Sequence, residues 1–215
     1  MASSFEENSM RRAYTWPILI VIDTSKSIGR ASIQKVNSDL SMLPRLIEED
    51  PLMRKAARVA LISFNSQAHL LLPFTDEVPT YLPTLEVYGS SNYRDAFRLA
   101  SSSLTDEIKA MREQGREVGQ PLIIFASRGY PDDNDWRTAL ADLKGPTSKK
   151  PPFRERCVLL AVALGKANVP ILQEVSSVYI ARDSSIILAL RELSLIANSG
   201  SWAGAYGFAW AQEIW

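Results

Sequence analysis

A chain of 215 residues, 46% hydrophobic and 22% charged, holds enough apolar material for one substantial core without disulfide or metal staples. Lys+Arg and Asp+Glu number 24 each, so no global field favours nucleic acid or an anionic membrane surface. Cys157 is the only cysteine, which excludes an intramolecular disulfide and suits a reducing compartment.

No apolar run is long enough to span a bilayer, and the first residues, with Glu6, Glu7 and two arginines, do not resemble a secretory signal. Cytoplasm is the expected location. Residues 1–12 read as a flexible leader. Ile18 to Ile22 is an unbroken, β-branched-rich run, the composition of a strand buried on both faces of a parallel sheet. It ends in Asp23, followed at alternate positions by Ser25 and Ser27. Open α/β sheets bind ligands at the carboxyl ends of their strands, and these three residues offer the oxygen ligands that hard cations prefer. The same residues also suit a simple helix cap.

Residues 30–49 carry Ile33, Val36, Leu40, Leu43, Leu46 and Ile47 at helical spacing, with a kink expected at Pro44 and an end at Asp50-Pro51. Residues 59–64 read as a second buried strand. Residues 68–74 read as a third, joined through Ser66-Gln67 as an antiparallel edge strand that tolerates Pro73. The proline-spaced stretch 79–85 cannot be a long helix. Ser91 or Asn92 caps a helix running to about Arg116 with the stripe Ala96, Leu99, Ala100, Leu104 and Ile108.

Residues 121–126 form a fourth expected strand, 132–143 an amphipathic helix, and 145–152 a basic, proline-bearing loop. Residues 157–163 form a fifth strand, in which Cys157 reads as a small core residue, followed by a short helix over 169–175 and a sixth strand over 178–181. Asp183 or Ser184 caps a last helix through Ala197. Strands alternating with helices predict a doubly wound, mostly parallel six-stranded α/β sheet with one antiparallel edge strand and helices on both faces. One domain over 13–197 is expected. Residues 198–215 break the pattern, mixing three glycines with Trp202, Tyr206, Phe208, Trp210 and Trp215. Such aromatics either pack back on the domain or serve as docking anchors, with Trp202, Tyr206 and Trp210 the candidate contacts.

Asp23-Thr-Ser-Lys-Ser27 at the end of a first buried strand resembles the Asp-x-Ser-x-Ser signature of von Willebrand factor A domains, and the element order over 14–197 is similar to that fold. Residues 59–75 with Pro83-Thr84-Leu85, Gly89-Ser-Ser91 and Trp136 resemble the TerY-like bacterial branch, named for tellurite resistance. The resemblance implies a metal-ion-dependent adhesion site: an aspartate and two serines from the first loop, a threonine and an aspartate from later loops, and a position open to a partner's carboxylate. Asp23, Ser25 and Ser27 match the first loop, and Ser91 stands where the threonine is expected.

Arg128, in Ser127-Arg128-Gly129, stands where the second aspartate belongs, and Lys26 replaces a usual glycine. A guanidinium about 5 Å from a dication repels it by roughly 6 kcal/mol at an effective dielectric near 20. The expectation is therefore a degenerate site with weak or absent magnesium or manganese binding; a second reading is that Arg128 itself pairs with Asp23 in the cation's place. Asp132 and Asp133 are alternative ligands or helix N-terminal charges. His69, the only histidine, reads as an edge-strand residue rather than a zinc ligand.

The function expected is a non-catalytic protein-interaction module, with Lys26 and Arg128 facing the partner. The TerY-like resemblance implies a bacterial stress or defence system and, as partners, a protein kinase and a metal-dependent protein phosphatase. The alternative is an enzyme. Asp23 also stands where haloacid-dehalogenase-like phosphotransferases carry their nucleophile, but Ser25 occupies the place of the second aspartate that this chemistry uses as acid and base.

Overall fold

The computed structural model describes residues 14–145, 157–176, 178–180 and 186–190. Its centre is β1 (Tyr14–Asp23), paired in parallel with β2 (Ala57–Phe64) on one side and β5 (Leu122–Ser127) on the other. With strands on both edges and helices on both faces, every side chain from Ile18 to Asp23 is buried, which is why the run needs no polar alternation. The full order is β3 (Ala68–Thr75), β2, β1, β5, β6 (Val158–Ala163) and β7 (Val178–Ile180), with β3 the antiparallel edge strand. A two-residue strand, β4 (Glu117–Val118), adds to the amino end of β1 and was not legible in the sequence.

Alternation along β1 divides the core. Ile18, Ile20 and Ile22 join Leu122, Ile124 and Ala126 against α1 (Arg30–Glu49), where Ile33, Val36, Leu40, Leu43 and Ile47 are buried. Leu19 and Val21 join Ile123 and Phe125 on the other face, against α3 (Tyr93–Glu113) and α4 (Trp136–Lys144). That second layer is aromatic. Phe125 stacks on Phe64 at 5.4 Å, and Tyr93 meets Phe125 edge-on at 4.9 Å and Trp136 at 5.8 Å.

Several boundaries differ from expectation. The helix over Arg30–Glu49 runs through Pro44 without a break, and a second short helix, α2 (Pro51–Ala56), starts beyond Asp50. α3 stops at Glu113, two residues before Gly115 turns the chain at φ 72°. α4 begins at Trp136 rather than Asp132, because the aspartates before it are committed to α3. α5 (Val169–Val175) lies where expected, and residues 186–190 are helical. The segments 1–12, 146–156 and 198–215, with Trp202, Tyr206 and Trp210, lie outside the described residues. Cys157 is half-buried, its thiol donating to the Leu143 carbonyl at 3.5 Å, and burial pushes its pKa up. His69 is exposed on β3 opposite Ser63.

The proline-spaced stretch before α3 contains no helix and is pinned to α1 by one side chain. Asn37 donates from Nδ2 to the Leu85 carbonyl at 2.9 Å and accepts from the Leu85 N–H at 2.8 Å, which holds Leu85 in the core. Replacing Asn37 by Ala removes both bonds and leaves two buried backbone groups unpaired. The expected cost is about 2 kcal/mol in denaturant unfolding, with an unchanged slope.

Candidate functional site

The sheet reverses direction around β1: the chain passes from β1 to β2 on one side and later returns to β5 on the other. The crevice at that switch, beyond the carboxyl ends of β1 and β5, is where open α/β folds place their sites. Asp23 ends β1 and Ser127 ends β5. Both are 0% exposed.

Asp23 is the hub. Its Oδ1 accepts the Ser25 N–H at 2.8 Å, and its Oδ2 accepts hydroxyl bonds from Ser91 at 2.9 Å and Ser127 at 2.6 Å. Ser127 has one proton and gives it to Asp23, so the Tyr93 phenol, 2.6 Å away, must donate to Ser127. The Gly129 N–H donates to the same Oγ at 3.2 Å. Ser25 and Ser27 share a hydroxyl–hydroxyl bond at 2.8 Å. The structure therefore brings together Asp23, Ser25, Ser27 and Ser91, the four predicted ligand positions, and adds Ser127 and Tyr93. Ser127 was visible in the sequence only as the neighbour of Arg128, and Tyr93 only as a residue of the helix that Asn92 caps.

Burial raises the Asp23 pKa above the ordinary carboxylate range, and the hydroxyl of Ser127, the N–H and hydroxyl of Ser25 and the hydroxyl of Ser91 pull it back. Burial, with the Asp23 charge nearby, also raises the Tyr93 phenol. The phenol therefore stays protonated and keeps donating.

The loops around this hub are stitched by backbone. Thr24 donates N–H and hydroxyl to the Phe64 carbonyl at 2.7 and 3.0 Å, and Tyr88 N–H donates to Thr24 at 2.9 Å. Lys26 N–H reaches the Gly89 carbonyl at 3.2 Å. Gly89, at φ 69°, lies so close to the 65–66 turn that a Cβ there would meet Ser66 Oγ at 2.6 Å. Asn92 caps α3, its side chain accepting from Asp95 N–H at 3.1 Å.

Asp132 and Asp133 are not turned toward Asp23. Asp132 accepts the Ser91 N–H at 2.6 Å, while Asp133 accepts those of Tyr93 at 2.7 Å and Arg94 at 3.1 Å. They serve as N-terminal charges, for α3 rather than for α4. Among the described residues no three Asp, Glu, His or Cys side chains cluster as a metal site.

Arg128 is not paired with Asp23, contrary to the second reading of the sequence. Its guanidinium spans two neighbouring loops, donating from Nη1 to the Ser27 carbonyl and from Nε and Nη2 to the Lys166 carbonyl at 3.2 and 3.0 Å. Three donors already engage both oxygens of Asp23, and the guanidinium is seated on the carbonyls at the rim instead. Its carbon lies 5.5 Å from the Tyr130 ring centre, and its own carbonyl accepts Asn168 N–H at 2.7 Å. Lys26 is exposed on the adjoining loop.

The sequence profile described as von Willebrand factor type A domain matches residues 18–127, just over half of the chain, from within β1 to the end of β5. An aerotolerance-related membrane protein from Bacteroides fragilis is similar at TM-score 0.57 and 16% identity, over 85% of this chain and 98% of that one. The vWF domain of the type V pili tip protein Mfa5 from Porphyromonas gingivalis is similar at TM-score 0.58 and 10% identity, over 87% and 96%. Manganese-loaded TRAP protein of Plasmodium vivax is similar at TM-score 0.54 and 16% identity, over 86% and 72%. At these identities the likeness establishes the fold.

Two outcomes follow from the hub. Ser127→Ala leaves the Tyr93 phenol without its acceptor and Asp23 without its shortest bond, so an unfolding free energy lower by about 2–3 kcal/mol is expected. The raised Asp23 pKa means that the native state binds this proton more tightly than the unfolded chain. Its contribution to stability is present below the unfolded value and lost as pH rises through the folded value. Asp23→Asn lacks that loss, so wild type should weaken relative to the variant as pH rises above about 4. Parallel denaturant series would refute this if wild type instead gained stability relative to the variant.

Proposed function

The chain belongs to the von Willebrand factor type A domain family, whose members generally mediate protein–protein interaction, and from that premise we propose a non-catalytic interaction module that engages its partner through the carboxyl edge of the sheet. The observation that supports this best is the state of Asp23: fully buried, with both oxygens accepting bonds, it sits beneath the site rather than facing a substrate. A phosphotransferase nucleophile needs an open line of attack and an acid or base at hand. Here Ser25 is bonded to Ser27, and Asp132 and Asp133 are occupied with backbone N–H groups.

The donor set suits a hard cation in kind: a carboxylate and the hydroxyls of Ser25, Ser27 and Ser91. It suits one poorly in charge. The set holds a single buried carboxylate, a guanidinium is fixed on the neighbouring Ser27 carbonyl, and the hydroxyls already bond one another or Asp23. We therefore read the site as a degenerate adhesion site in which magnesium or manganese binds weakly or not at all. If it bound, Asp23, Ser25, Ser27 and Ser91 would hold it, and it would supply positive charge for a partner's carboxylate.

The finer assignment rests on the TerY-like resemblance of residues 59–75 and Gly89-Ser-Ser91. It makes the chain a cytoplasmic component of a bacterial stress, tellurite-resistance or defence system. Its candidate partners are a protein kinase and a metal-dependent protein phosphatase of the same system. No helix among the described residues is long and apolar enough to cross a membrane.

Calorimetric titration with magnesium and manganese tests the degenerate site. Wild type is expected to give no saturable heat, whereas Arg128→Asp, which restores a carboxylate and removes a cation, gains binding. Micromolar affinity in wild type would overturn the reading.

A further inference from the structure

The acceptors that hold Arg128 are neutral. Six other arginines of the described residues, Arg45, Arg54, Arg58, Arg94, Arg116 and Arg137, lie within ion-pair distance of a carboxylate. Arg128 is held instead by the carbonyls of Ser27 and Lys166, and no described carboxylate is paired with it. Hydrogen bonds to carbonyls fix a guanidinium without neutralising it. Three of its five N–H groups are used, which leaves one on each Nη nitrogen.

The surroundings keep the same sign. Lys26 on the loop after β1 and Lys166 on the loop after β6 are exposed on the two loops that Arg128 joins. The nearby acids are committed elsewhere: Asp23 is buried under its hydroxyls, Asp132 and Asp133 cap α3, and Asp135 pairs with Arg94 at 3.3 Å. The half-exposed Tyr130 ring beside the guanidinium limits its swing on one side. The rim is thus a preorganised positive fork over hydroxyls, the arrangement that a pair of anionic oxygens fits.

We propose that Arg128 is the recognition charge for an anionic oxygen group, a carboxylate or phosphoryl, carried by a partner protein, and that it acts without any bridging cation. The proposal rests on the metal-poor reading above, and goes beyond it by naming the partner's chemistry and the atom that reads it.

The test is an amide and arginine side-chain NMR titration of the whole chain in chelator, with inorganic phosphate and acetate as separate probes. Saturable shifts at Arg128 Nε–H, Gly129 and Lys26 are expected. Response to phosphate alone assigns a phosphoryl source, and response to both admits a carboxylate. Arg128→Gln, which keeps a donor for the carbonyls but no charge, should lose roughly tenfold or more in affinity, with spectra elsewhere unchanged. Arg128→Lys should recover part of the loss, and Lys109→Gln, on the outer face of α3, should change nothing. Equal, non-saturating shifts in wild type and Arg128→Gln would overturn the proposal, and so would binding only after magnesium is added. The first result leaves the metal-poor reading standing, whereas the second removes both.

Discussion

The structure depends on keeping one buried carboxylate satisfied at the centre of its sheet. Asp23 sits where the apolar core ends and the loops begin, and burial disfavours its charge. Three loops contribute what it needs: a backbone N–H from the turn after β1, a hydroxyl from the segment before α3, and a hydroxyl from the end of β5. Each donor is in turn held by something behind it. Ser91 is anchored through its N–H by Asp132, and Ser127 by the phenol of Tyr93, whose ring is packed among Phe64, Phe97, Phe125 and Trp136. The aromatic layer under α3 and α4 thereby becomes part of the site. A change in that packing reaches Asp23 through one hydrogen bond.

Arg128 performs a second job at the rim of the same crevice. A cation in such a site draws loops together through shared oxygen ligands. Here a covalently attached guanidinium draws together the loops after β1, β5 and β6 through carbonyls, while Asp23 is left to the hydroxyls. The two charges are separated by function: the negative one organises the interior and the positive one faces outward. This division leaves the carboxylate satisfied by protein donors alone and puts the positive charge at the rim of the crevice.

Much of this was legible in the sequence, for definite reasons. The run from Ile18 to Ile22 ending in Asp23 has the composition of a doubly covered strand, the helical stripes of α1 and α3 followed from periodicity, and the hairpin from the short Ser66-Gln67 connection. Asp23, Ser25 and Ser27 stand out because a five-residue signature lies on one loop, and Ser91 only through the family resemblance. The conformation of Arg128 was not legible, since its partners are backbone carbonyls, which carry no residue identity. Ser127 and Tyr93 were missed for a related reason. A serine at a strand end and a tyrosine in a helix acquire a role only when the start of α3 is brought beside the end of β5. The late start of α4 has the same origin: Asp132 and Asp133 have strong local cause to open a helix, but the N–H groups of Ser91, Tyr93 and Arg94 compete for them and win.

We read this crevice as held together by hydrogen bonds and a guanidinium rather than by a cation. A crystal structure grown in manganese, with data collected at the manganese absorption edge, addresses it most directly. No anomalous peak is expected beside Asp23, with Ser91 and Ser127 still donating to Oδ2 and Arg128 still seated on the carbonyls of Ser27 and Lys166. A full-occupancy manganese bound by Asp23, Ser25 and Ser27, with Arg128 swung away from both carbonyls, would contradict it.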